Sequence, residues 1–255
     1  MSPVRSDAPV LVFSPHLDDA ALSAGAFIAD LATASARRVE LHTLFAGSAD
    51  GEISPAARGF HRMCSLHEDA VQQRRGEDNA AAATLGADAY HHGFLDAIYR
   101  RDPSGGWLCR NERSVFSELP DEPDLRVELA AVVAELCVIR RPALVLTCAA
   151  IGGHVDHRLT RAAVVEATSR ARVRLLLWED LPHAMRRPGD NTTGRPRPHH
   201  ATPDAWDWKW AAIARYQSQV SMLWPDGRDW RAELAAHAIE QGGGFRPAEM
   251  LWEPR

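Results

Sequence analysis

Short, nearly unbroken apolar runs alternate along the chain with longer stretches in which alanine, leucine, isoleucine and valine recur at helical spacing. The run at 9–14 (PVLVFS) is brief and branched, which reads as a strand buried on both faces of a parallel sheet. Residues 20–34 then show helical periodicity behind Asp18 and Asp19, whose charges favour a helix N-terminus. The pairing repeats with a strand predicted at 39–45 and a long alanine-rich helix at 65–85, closed by Gly86. A weaker strand at 89–94, a helix at 124–139, a strand at 143–148, a helix at 156–170 and a strand at 173–178 continue the series. A tryptophan-rich helix is expected over 204–224 and a further one over 230–240. Strands alternating with helices predict an α/β fold, a Rossmann-like, mostly parallel sheet with helices on both faces. Ligands of such sheets lie beyond the carboxyl ends of the strands, so that is where chemistry is to be sought.

Two segments interrupt the alternation, 99–123 and 180–203, the second rich in Pro, Gly, Thr and His. Loops this long inside a compact domain are lids, binding loops or flexible segments, and the sequence leaves these readings open. With 255 residues, 45% of them hydrophobic, the chain has material for one substantial core, and a single domain over 1–255 is expected. The formal net charge of -5 offers no footprint for nucleic acid, which makes a small molecule the expected partner. The four cysteines show no CxxC pairing, no secretory pattern precedes them, and no apolar run nears the roughly 20 residues that cross a bilayer. These features predict a cytoplasmic protein without a membrane span and leave subunit assembly open.

His16, Asp18 and Asp19 follow the first strand directly. Two adjacent carboxylates beside an imidazole repel one another unless a cation or strong hydrogen bonds offset them, and a divalent metal is the simplest cation. A helix cap with a turn histidine is the blander alternative. The second cluster, Gly152-Gly153-His154-Val155-Asp156-His157, stands in the same place after the strand at 143–148. His16, Asp19 and His157 would supply two imidazoles and one carboxylate, a set that suits Zn2+ with one position open to water, although iron, cobalt or nickel accept similar ligands. Asp18 is then the natural general base, and a protonated His154 held by Asp156 would stabilise a developing oxyanion.

The motifs PHLDD at 15–19 and HVDH at 154–157 resemble the PHPDD and HxDH signatures of the PIG-L/LmbE-like metal-dependent deacetylases. The resemblance implies the same roles: His16, Asp19 and His157 as zinc ligands, Asp18 as base, His154 with Asp156 as the oxyanion-stabilising pair. Arg74, Glu77, Ala81 and Leu85-Gly86 look like a helix of that family whose arginine contacts substrate, and Asp96 follows in its expected place as a second substrate-binding candidate. A surface ion pair of Arg74 with Glu77 or Asp78 is the alternative. Lys209 with Tyr216-Gln217-Ser218-Gln219, and Glu249 with Trp252, resemble later family elements, for which packing is the simpler role. Leu17 replaces the usual proline and Ala20 a usual glutamate, a variant similar to the branch associated with specialised metabolism. The resulting expectation is a zinc-dependent deacetylase acting on an N-acylated amino sugar or related small molecule in antibiotic biosynthesis. A metal-dependent phosphoesterase and a non-catalytic, metal-stabilised sugar-binding protein are the competing classes.

Overall fold

The computed structural model describes residues 8–254, apart from 34, 36, 67, 68, 112, 117, 118, 120 and 187–193. Its strands are β1 (Val10–Ser14), β2 (Val39–Thr43), β3 (Asp88–His91), β4 (Leu144–Cys148), β5 (Leu175–Trp178), β6 (Arg195–His199) and β7 (Glu249–Glu253). Among the described residues they form one sheet in the order β3-β2-β1-β4-β5-β7-β6. The first five are parallel, whereas β7 runs antiparallel to both β5 and β6. The expected mostly parallel α/β sheet is therefore present, with an antiparallel margin that the apolar runs did not signal.

Alternate residues of each central strand enter two separate cores, which is why the runs are apolar without interruption. Val10, Val12, Leu144 and Leu146 pack with α1 (Asp19–Ala32), α3 (Ala70–Thr84) and α7 (Pro203–Ile213). Leu11, Phe13, Val145 and Leu177 pack with α4 (Pro123–Arg140) and α5 (Val155–Ala171) on the opposite face. None of the described helices is long and apolar enough to cross a membrane.

Three expectations change. The helix expected at 65–85 begins only at Ala70, since Ser65 takes a left-handed conformation at φ 52°. A separate α2 (Pro55–Met63) precedes it, started by Pro55 and by Ser54 Oγ, which accepts the Ala57 N–H at 2.8 Å. The helix expected at 204–224 divides into α7 and α8 (Gln217–Leu223) around Tyr216, whose hydroxyl donates to Asp78 of α3 at 2.6 Å. The interruption at 180–203 contains α6 (His183–Arg186) and the edge strand β6, whose two prolines an edge tolerates. Residues 187–193 of that interruption lie outside the described residues. In the other interruption, Tyr99, Leu108, Cys109 and Val115 are buried against Ala56 and Ala57 of α2 and Val155 of α5. Residues 112, 117, 118 and 120 of it are not described.

Helix α1 carries the first motif, and its course depends on the far end of the chain. At Ala24 it departs from helical geometry (φ -128°, ψ 21°). The Ala26 and Phe27 N–H groups beyond the kink donate to the Glu249 carboxylate of β7 at 2.9 and 2.7 Å. Lys209 Nζ of α7 completes this buried knot at 2.6 Å from Glu249 Oε1, its stem pressed against Gly25, where a Cβ would come within 3.0 Å of the lysine Cγ. Removing one member of a buried ion pair strands the other, at a cost of about 3–5 kcal/mol. Glu249→Ala is accordingly expected to lower the free energy of unfolding by that amount, read from a reduced denaturant midpoint at constant m-value; a loss below about 1 kcal/mol would remove Glu249 as the anchor of α1.

Candidate active site

From β1 the chain moves outward through β2 and β3, then returns to β4 on the other side and moves outward again to β5. The crevice between the carboxyl ends of β1 and β4 is thus the point where strand order reverses, the preferred ligand position of such sheets. Both motifs occupy it. After β1 the turn is knitted by Ser14 Oγ, which donates to the His16 carbonyl at 2.8 Å and accepts the Ala20 N–H at 3.2 Å. Asp18 stands at the N-cap position of α1 yet its side chain makes no capping hydrogen bond. Its carboxylate is turned to the cleft, which disposes of the helix-cap reading. After β4, Ala150, Gly152 and Gly153 all have positive φ, and a Cβ at 152 would lie 2.8 Å from that of His183. The loop passes through this narrow space to start α5 at His154.

Asp19 Oδ2 lies 3.2 Å from His16 Nδ1 and 3.2 Å from His157 Nε2. Around a tetrahedral ion with bonds of about 2.0–2.2 Å, neighbouring ligand atoms are roughly 3.3 Å apart, so these separations fit a shared metal. Each imidazole is backed by a second carboxylate. His157 Nδ1 is 2.8 Å from Asp180 Oδ1, and Asp180 Oδ2 accepts the Ile151 N–H at 2.9 Å. His16 Nε2 is 3.0 Å from Asp156 Oδ2, which also accepts the Ala97 N–H at 2.9 Å. Carboxylates placed behind histidines in this way fix the ring orientation and decide which nitrogen faces a metal.

The second arrangement corrects the expected pairing of His154 with Asp156. The Asp156 carboxylate faces His16, and only its backbone N–H reaches His154, donating to Nδ1 at 3.2 Å. The cause lies in the first turn of α5: the His154 ring folds back over the helix start as its cap, while the Asp156 side chain points toward β1.

The electrostatics of the centre call for positive charge. Burial raises Asp18, and the neighbouring Asp19 charge adds to this, bringing it to about 7 against the pull of Arg74. Burial disfavours a charged His157, but Asp19 and Asp180 outweigh it and lift the ring to about 10. His16 is likewise raised despite its burial, by Asp96, Asp156 and Asp19. His154 alone of the three is driven down, by burial and by the adjacent His16. Carboxylates that force two imidazoles toward the cationic form offer the setting that a dication would satisfy. Among the described residues three groups draw potential ligand atoms together: His16/His154/His157, Cys148/His157/Asp180 and His16/Asp96/Asp156. Each of the three contains His16 or His157, and none contains Asp19, whose Oδ2 lies between the two rings.

Arg74 is buried, with Nη2 3.5 Å from Asp18 Oδ1 and its guanidinium 5.3 Å from the Phe60 ring centroid. Glu77 instead accepts the N–H and hydroxyl of Ser218, and Asp78 accepts the hydroxyls of Thr43 and Tyr216 and pairs with His91 Nε2, so the surface-pair reading of Arg74 does not hold. Asp96 faces the cleft 3.6 Å from His16 Nε2, and its Oδ1 accepts the Ile98 N–H. Several lining residues escaped sequence reasoning. His183 sits on α6 with its ring centroid 5.5 Å from that of His157, and Leu22, Met63, Val115, Phe116 and Met222 make much of the wall. No local pattern marks them, because each reaches the cleft from a different element. His91 and His92 lie outside it, engaged with Asp78 and His42.

The description of the PIG-L family, GlcNAc-PI de-N-acetylase, matches residues 11–168. The 2'-N-acetylparomamine deacetylase of Streptomyces fradiae is 32% identical over 178 residues, which cover 69% of this chain and 58% of that relative's length. Among solved structures, the zinc inhibited form of teicoplanin deacetylase Orf2 aligns at a TM-score of 0.87 and 36% identity, covering 96% of this chain and 97% of its own. The A40926 pseudoaglycone deacetylase Dbv21 aligns at 0.83 and 35% identity over 96% of each chain. The family match spans β1 through most of α5 and so includes both motifs that meet at the switch point; this chain belongs to the PIG-L family of de-N-acetylases.

Proposed function

We propose that the chain is a zinc-dependent amide hydrolase that removes an acyl group, acetyl in the simplest case, from an N-acylated amino sugar, releasing a carboxylate and a free amine. The observation that carries this reading is the Asp19 carboxylate bridging His16 and His157 beside an uncapped, buried Asp18. Zn2+ held by His16, Asp19 and His157 would polarise the acyl carbonyl and lower the pKa of water. Asp18 takes the proton of the attacking water and returns it to the leaving amine, a role served by a carboxyl near 7. His154 acts as a neutral donor in place of the expected imidazolium. Its Nδ1 accepts the Asp156 N–H, which leaves the ring proton on Nε2, free for the developing oxyanion. Asp156 and Asp180 hold the ligand rings, and Arg74 and Asp96 contact the substrate. A metal-dependent phosphoesterase is disfavoured because one cation at Asp19, with Asp18 as base and His154 as donor beside it, better suits acyl transfer.

The cleft favours one substrate class over another. Apolar side chains face it from several elements, and Arg74 and Arg186 share the lining with Asp18, Asp19 and Asp96. An amino sugar carried on an aromatic or apolar scaffold can bury that scaffold against these walls, an apolar contact that aminoglycosides do not offer. The teicoplanin and A40926 pseudoaglycone deacetylases align at 36% and 35% identity, the paromamine deacetylase at 32%. Antibiotic biosynthesis is the setting, with the portion of 99–123 that brings Val115 and Phe116 to the cleft acting as its lid. The chain over 1–255 functions as one domain. Four free, buried cysteines suit a reducing cytoplasm.

Asp18→Asn is expected to lower kcat by about 10²–10⁴-fold with metal content unchanged, whereas His157→Ala should lose the metal itself. A fully metallated, active His157→Ala protein, detected by elemental analysis, would remove the ligand assignment. Since only ionised Asp18 accepts a proton, kcat/KM should fall as pH drops through an acid limb lying no higher than about 7, because a bound dication draws that limb downward. Activity held constant down to pH 4 would exclude Asp18 as base. In an amine-release screen, N-acetylglucosaminyl derivatives of aromatic scaffolds should turn over at least tenfold faster than N-acetylated aminoglycosides, and a chelator should stop both. The reverse preference would overturn the substrate class.

A further inference from the structure

The long segment between Tyr99 and Pro123 is closed at its two ends by a single side chain. Arg100, directly after the 3₁₀ turn at Ala97–Tyr99, sends Nε and Nη2 to the two carboxylate oxygens of Glu122, each at 2.8 Å, just ahead of α4. The same guanidinium donates through Nη1 to the Leu95 carbonyl at 2.7 Å and lies over the Phe45 ring. Its Nη2 is also 2.7 Å from Asp156 Oδ1, an ion pair without in-line hydrogen-bond geometry. Asp156 is fully buried, and its other oxygen holds His16 Nε2.

From this connection we infer that Arg100 is a positioning residue of the metal centre, acting through Asp156 on His16. The inference rests on the metal-centre reading proposed above. A carboxylate with no solvent contact keeps its place and charge only where a cation compensates it, and Arg100 is the cation nearest to Asp156. With Asp156 held, His16 presents Nε2 to it and leaves Nδ1 for Asp19 and the metal. Because the guanidinium also gathers Leu95 and Glu122, the ends of the segment that delivers Val115 and Phe116 to the cleft share one anchor with a metal ligand. A lysine in its place would keep the charge but lack the planar fork that spans these partners.

The test measures zinc affinity by competition with a chromophoric chelator, together with the thermal midpoint of the metal-free proteins. Arg100→Gln should weaken zinc binding about 10–100-fold, the range seen when residues behind a metal ligand are removed, with Arg100→Lys falling between it and the unaltered protein. In an Asp156→Asn background, Arg100→Gln should change affinity by less than about twofold, because its effect is transmitted through the Asp156 charge; a purely structural role would give additive losses. Zinc affinity of folded Arg100→Gln within threefold of the unaltered protein would overturn the inference, as would full additivity in the double variant. Should Arg100→Gln not fold, Arg100→Lys decides, and unaltered zinc affinity in that variant would overturn the inference. His157→Ala separates the two levels: if the unaltered protein binds zinc no better than His157→Ala, the metal-centre reading fails, and this inference with it.

Discussion

One carboxylate oxygen, Asp19 Oδ2, approaches two imidazoles that come from opposite halves of the sheet, and the organisation of the molecule follows from that meeting. His16 and Asp19 stand after β1, and His157 opens α5 after β4; these strands are neighbours only because the chain reverses its direction of travel between them. Concentrating Asp18, Asp19, Asp96, Asp156 and Asp180 in one buried place is unfavourable unless positive charge is present. Arg74 and Arg100 supply part of it, and the raised pKa of His16 and His157 marks how strongly the carboxylates draw charge onto these rings.

The division of labour within the HVDH motif differs from a simple dyad. Its two histidines do unlike things: His157 lies between Asp19 and Asp180, and His154 caps the helix with its pKa driven down. Asp156 belongs with His16, across the cleft. The motif therefore links both strand ends, through Asp156 to His16 and through His157 to Asp19.

What was legible from the chain was what local pattern encodes. Runs such as VLVF and LVLT are apolar at successive positions because both faces of their strands are covered, and the two clusters of His and Asp directly follow such runs. Strand β6 was hidden by its prolines, which only an edge admits, and β7 by its half-exposed residues. Asp180, Arg100 and His183 carry no local signature. Asp180 follows β5, Arg100 leaves a 3₁₀ turn and His183 opens a four-residue helix, so their roles exist only once the sheet has assembled. The partner of Asp156 was misread for the same reason, since sequence proximity favoured His154 and three-dimensional proximity favours His16.

The kink of α1 ties biogenesis to catalysis. Two backbone amides of α1 find their acceptor on β7, 223 and 222 residues further along the chain, with a lysine from α7 sealing the junction. A nascent chain can pair β1 with β2 early, yet the helix that aims Asp18 and Asp19 acquires its final bearing only when residue 249 has been synthesised and docked. Maturation of the centre is thereby deferred until β7 is in place.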